Sequence, residues 1–205
     1  VYKRQYLAFA QALLDKLDVW QGKITQADLD ITDPDDLHAQ MGMGRGQILV
    51  GSHLGNLEVC RALAEKSGLL KLNVLVHTKH AVHFGRLLDE AGGGLRMIQV
   101  SELDAGVMLD LAQRLDRGEW LAIAGDRVPL TGNRSTQVDL LGAAALLPQG
   151  PWLLAGLLRC PVNLLFCTRQ GARYRVAMER LCDGIEWTRA CLLYTSDAAD
   201  DMQCV

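Results

Sequence analysis

Between Gln47 and Ala124 the chain alternates short, continuous apolar runs with longer amphipathic stretches, and glycines mark most of the joins. This alternation is the strongest constraint on the fold. Apolar runs of four to eight residues read as strands buried on both faces. Consecutive parallel strands need a crossover of helical length between them, so the pattern calls for an α/β fold with a mostly parallel central sheet and helices on both faces. Strands are expected over residues 47–51, 71–76, 95–100 and 120–124, with helices over 56–67, 81–91 and 104–116. A further helix is expected over 149–158, followed by strands at 162–167 and 174–178 joined as a hairpin through Gly171. Upstream, Leu7, Phe9, Ala10, Leu13, Leu14, Leu17 and Val19 form one stripe of a helix over 6–21. Asp33-Pro34 opens a short helix reaching about Met43.

The two ends read differently from the middle. The peptide Cys191-Leu192-Leu193-Tyr194-Thr195 can be encoded by DNA whose reverse complement encodes Val1-Tyr2-Lys3-Arg4-Gln5. The expectation is that residues 1–5 and 191–205 derive from one adapter sequence read on opposite strands. Residues 6–190 are then a single domain cut at both ends. Within that span the cysteines are Cys60, Cys160, Cys167 and Cys182, with no Cys-x-x-Cys pair, which argues against a zinc ribbon or a redox motif. A formal net charge of −3 gives no support to a nucleic-acid partner. No run approaches the roughly 18 apolar residues needed to span a bilayer.

In open parallel sheets ligands bind beyond the carboxyl ends of the strands. Chemistry is therefore expected just after Val50, Val76, Val100 and Ala124. The first of these exits reads Gly51-Ser52-His53-Leu54-Gly55-Asn56-Leu57-Glu58. A carboxylate on one ring nitrogen of an imidazole fixes the tautomer and raises the basicity of the other nitrogen. His53 held by Glu58 across a tight turn is thus a candidate general base, with the substrate supplying the nucleophile. The alternative is a structural histidine with Glu58 on a solvated helix face. Gly55 admits a close backbone approach, and Asn56 either caps the next helix or donates a hydrogen bond. After the second strand, Lys79 is a candidate partner for phosphate or carboxylate, or simply part of a polar loop. His80 and His83 have the spacing of a metal pair but no third ligand, so no metal is expected. After the fourth strand, Asp126 and Arg127 form a polar cluster. Arg127 either stabilises an oxyanion or binds a phosphate, or else the two close the loop on each other. Nucleophile-elbow, Walker and dinucleotide motifs are missing.

Taken in order, Gly51 to Glu58, Gly125-Asp126-Arg127 and Gly142 to Gly150 resemble the late acyltransferases of lipid A biosynthesis, lauroyl- and myristoyl-transferase-like proteins of the lysophospholipid acyltransferase superfamily. The likeness covers roughly Gly46 to Gly184. It implies a glycerolipid-acyltransferase-like fold and an O-acyltransferase acting at the cytoplasmic face of the bacterial inner membrane, anchored by a helix upstream of this segment. It implies acyl carrier protein or coenzyme A thioesters as donors, a lipid hydroxyl as acceptor, and no separate cofactor. His53 and Glu58 match the family's catalytic His-x4-Asp/Glu pair, and Asp126 matches a later aspartate. Lys79 and Arg127 depart from the residues usual at their positions, which widens the acceptor from lipid A to related glycolipids. A thioesterase using the same base on water, and a lipid-binding protein without turnover, are the competing expectations.

Overall fold

The computed structural model describes residues 2–67, 71–76, 95–128 and 134–186. Helix α1 (Tyr2–Trp20) leads to strand β1 (Leu29–Thr32) and a single turn of helix, α2 (Leu37–Gln40). Then follow β2 (Ile48–Gly55), α3 (Leu57–Ser67), β3 (Leu72–Val76), β4 (Leu95–Gln99), α4 (Ala105–Asp116) and β5 (Trp120–Ala124). The strands β6 (Ser135–Leu140) and β7 (Ala143–Pro148), the helix α5 (Gly150–Leu158), β8 (Val162–Gln170) and β9 (Arg173–Cys182) complete the described chain. The helix expected over 81–91, with Lys79, His80 and His83, lies outside the described residues.

Seven strands form one sheet in the order β1-β9-β8-β2-β5-β3-β4, and β6 and β7 form a separate pair. Within the large sheet only β8 and β9 are antiparallel neighbours; the other pairings are parallel. The α/β class and the mostly parallel sheet follow the alternation in the sequence. The β8–β9 hairpin turns through Gly171 as expected, with φ of +63° there. Two elements were not anticipated: β1, which joins the edge beside β9, and the β6–β7 hairpin. The helix expected from Asp33 is shorter, because residues 33–36 form a turn in which the Asp33 carboxylate accepts the backbone N–H groups of Leu37 and His38 at 2.8 Å.

Successive residues of the central strands feed opposite faces of the sheet. Leu49, Leu72 and Trp120 pack with Val19 of α1 and with Val59, Ala62 and Leu63 of α3. Ile48, Val50, Leu75 and Leu121 pack on the other face with Leu111 and Leu115 of α4 and with Leu154, Ala155 and Leu158 of α5. Burying each such side chain contributes about 1.5–3 kcal/mol, so the two clusters clamp the sheet from both sides. Cys160 and Cys167 are buried in these clusters as small core residues. α1 departs from its apolar stripe: Leu7, Phe9, Leu13, Leu14 and Leu17 are exposed, while Asp15 and Val19 are buried.

The position of β5 decides the geometry of the site. It lies between β2 and β3, with Gly51 of β2 in register with Ala124 of β5. The Gly125 N–H donates to the Gly51 carbonyl at 2.8 Å, carrying the pairing one step past the end of β5. Two strand exits that are far apart in sequence therefore open side by side at the carboxyl edge of the sheet.

Candidate functional site

At that edge the carboxylate of Asp126 holds residue 53 twice. Its Oδ1 lies 2.9 Å from Nδ1 of the His53 ring, and its Oδ2 accepts the His53 backbone N–H at 2.9 Å. Both residues remain open to solvent, with side-chain exposures of 47% for His53 and 28% for Asp126. Partial burial works against the Asp126 charge, but the hydrogen bonds from the His53 ring and backbone outweigh it and hold the carboxyl below the ordinary aspartate range. At neutral pH an ionised carboxylate accepts and cannot donate. In the pair the ring therefore carries its proton on Nδ1 and donates it to Asp126. The second nitrogen, Nε2, has no hydrogen-bond partner among the described residues, and the His53 side chain is half exposed.

Glu58 does not take the place that the His-x4-Glu spacing led us to expect. Its Oε2 accepts from the Arg61 guanidinium at 2.7 and 3.1 Å and lies 3.1 Å from the Lys16 ammonium. The reason is local. α3 begins at Leu57, so Glu58 is in its first turn, where Arg61 shares its side of the helix and α1 packs alongside. Burial works against the Glu58 charge, yet Arg61 and then Lys16 prevail and hold it below the usual glutamate range. The carboxylate nearest the imidazole comes instead from the neighbouring strand exit.

The chain between these residues is shaped by backbone contacts. Gly55 has φ of +94°, a region that L side chains rarely adopt, and a Cβ there would collide with the Cys167 carbonyl of β8. The same carbonyl accepts the Asn56 N–H at 2.7 Å. The Asn56 side chain is buried and donates to the Asp15 carboxylate at 3.1 Å and to the Ala12 carbonyl at 3.4 Å. Gly55 and Asn56 thus seat the His53 loop between β8 and α1. The Ser52 hydroxyl oxygen accepts the Leu54 N–H at 3.2 Å.

Arg127 follows Asp126 on the exposed side, with no hydrogen bond or ion pair among the described residues. The closed Asp126–Arg127 contact, one of the two readings of this turn, is not formed. Of the sequence-derived candidates, His53, Asp126 and Arg127 meet at one edge, Gly55 and Asn56 support them, and Glu58 stands behind on α3. Among the described residues no three His, Cys, Asp or Glu side chains gather as a metal site would require. No helix there is long and apolar enough to cross a membrane. The arrangement has the chemistry of a general base: an oriented imidazole, an ionised partner and an unoccupied nitrogen at an open edge.

Residues 3–183 match the family described as bacterial lipid A biosynthesis acyltransferase. No curated protein matches the chain.

Proposed function

The chain belongs to the bacterial lipid A biosynthesis acyltransferase family, and from that premise we propose that His53 is the general base for direct transfer of a fatty acyl chain to a hydroxyl of lipid A or a related glycolipid. The donor is an acyl thioester of acyl carrier protein or coenzyme A, and the site works at the cytoplasmic face of the inner membrane. The observation that carries this reading is the double hold of Asp126 on residue 53, which leaves Nε2 free.

In the transfer the acceptor hydroxyl gives its proton to Nε2 as its oxygen attacks the thioester carbonyl carbon. Asp126 stabilises the imidazolium that results. The tetrahedral intermediate then expels the thiolate, the C–S bond breaks, and the imidazolium returns its proton to sulfur. No acyl-enzyme forms. Arg127 stands beside Asp126 with its guanidinium uncommitted, suited to the oxyanion or to a phosphate of donor or acceptor. Lys79 is proposed to assist it. Glu58, braced by Arg61 on its own helix, contributes by tying α3 to α1 through Lys16, which keeps the loop over Gly55 and Asn56 in register.

The test is mass spectrometry of lipids after incubation of the protein with acyl carrier protein and coenzyme A thioesters, with and without a lipid A-type acceptor. An acylated acceptor that disappears in His53→Ala supports the proposal. Free fatty acid released at the same rate without acceptor would replace it with a thioesterase. Donor binding without any acyl product would replace it with a non-catalytic lipid-binding protein.

A further inference from the structure

The β6–β7 hairpin breaks two local rules at once. It stands outside the main sheet as a two-stranded ribbon, which is marginal alone in water. Its tip, Leu140-Leu141-Gly142-Ala143-Ala144, is an unbroken apolar run that is exposed throughout, with Leu140 at 51% and Leu141 at 100%. The two turn residues have φ of +56° at Leu141 and +80° at Gly142, the signs of a type I′ turn. Asn, Asp or Gly normally fills the first of those positions, and a leucine there is costly. A strained leucine wholly in water gains nothing from contacts inside this fold.

The surroundings indicate what covers it. The hairpin rises from the carboxyl edge of the sheet. The Gln149 N–H donates to the Arg134 carbonyl at 3.0 Å and so closes the hairpin base, and α5, which begins there, brings Pro151 to within 3.5 Å of where a Gly125 Cβ would stand. His53 and Asp126 lie at that same edge. Arg127 and Arg134 flank the stretch that enters the hairpin, both exposed and without a carboxylate partner among the described residues. α1 meets α3 at Asn56 through Ala12 and Asp15, and its turns from residue 2 to residue 10 are exposed beyond that contact, with Leu7 and Phe9 in water. Asp139, exposed on β6 just below the tip, is the one carboxylate of the hairpin, against the two guanidinium groups at its base. An apolar wedge over a net positive base matches a lipid layer with an anionic surface, acyl chains for the leucines and phosphates for the guanidinium groups.

We propose that the Leu140–Leu141 tip inserts into an anionic lipid layer, with Arg127 and Arg134 on its headgroups, and so holds the His53–Asp126 edge against the membrane. This rests on the reading of the site as one that takes a lipid acceptor, but its test does not depend on turnover.

The test uses the full chain and vesicles of phosphatidylcholine, with and without phosphatidylglycerol, in a sedimentation assay. Binding to the anionic vesicles is expected, with Leu141→Asp weakening it by about tenfold or more, and His53→Ala binding like the parent. Leu141→Cys carrying a polarity-sensitive fluorophore is expected to shift to the blue on anionic vesicles. The same probe at Leu157→Cys, an exposed position near the other end of α5, is expected not to shift. Equal vesicle binding by the parent and Leu141→Asp, or an unshifted probe at position 141, would overturn the proposal. So would a Leu141→Asp variant that loses affinity for acyl carrier protein while keeping vesicle binding, because the tip would then dock a protein. Loss of transfer with intact, tip-dependent vesicle binding would count against the catalytic reading alone.

Discussion

His53 and Asp126 are joined through both the ring and the backbone of the histidine, at 2.9 Å each, across a separation of 73 residues. One carboxylate therefore sets where the imidazole stands and which of its nitrogens is free. Removing the base itself, as His53→Ala, is expected to lower transfer by about 10²–10⁴-fold. Asp126→Asn is expected to fall in the same range, because an amide can present its N–H to Nδ1 and favour the wrong tautomer. Steady-state rates of acyl transfer, with circular dichroism confirming an unchanged fold, check both. Near-parental activity in Asp126→Asn would remove this residue from the mechanism.

The second carboxylate is expected to behave differently. Glu58 is partly exposed and paired with Arg61 and Lys16, and ion pairs of that kind contribute about 0–1 kcal/mol. Glu58→Gln should therefore reduce transfer by no more than about fivefold, while loosening α1. Parallel kinetics of Glu58→Gln and Asp126→Asn give the comparison. A Glu58→Gln loss equal to that of Asp126→Asn would show that Glu58, and not Asp126, orients the base during turnover.

Gly55→Ala tests the loop. The new Cβ meets the Cys167 carbonyl, and the backbone is held at φ of +94°. A residue forced into such a region costs about 1–3 kcal/mol, and the collision adds to it. The midpoint of thermal unfolding should drop, and residual transfer should fall further than stability alone accounts for, because the Asn56 N–H to Cys167 bond is displaced.

Low pH should destabilise the fold through the same groups. Asp126 and Glu58 both have carboxyl groups held below their ordinary values in the folded chain. Near and below pH 4 the unfolded chain then binds more protons than the folded one, so stability rises with pH in that window and is lost as pH falls through it. Chemical denaturation from about pH 5 down to pH 2.5 should show this slope. Asp126→Asn should flatten it, and an unchanged slope would mean that the His53–Asp126 bonds do not form in solution.

Much of the fold was legible because its signal is local. The period of the apolar residues marked β2 to β5 together with α3 and α4, whereas the cap of α4, the Asp104 carboxylate accepting the Val107 N–H at 2.8 Å, came only with the structure. The rule that ligands gather beyond parallel strands directed attention to His53 and Asp126 separately. Their partnership was not legible, because it depends on β5 inserting between β2 and β3, and strand order leaves no mark in one chain's periodicity. Glu58 was the nearer carboxylate in sequence, and nothing in the spacing showed that Arg61 and Lys16 would claim it. The apolar stripe of α1 marked the helix correctly, but periodicity identifies an apolar face without saying what covers it, and here the stripe is exposed.

The insertion of β5 between β2 and β3 also orders events during synthesis. A nascent chain that has emerged only through β3 and β4 carries the imidazole without its aspartate, and the slot beside β2 is still vacant. The imidazole acquires its carboxylate partner only when the later strand closes the sheet, so on the mechanism proposed for His53 an incomplete chain leaving the ribosome carries an unoriented base until its scaffold is whole.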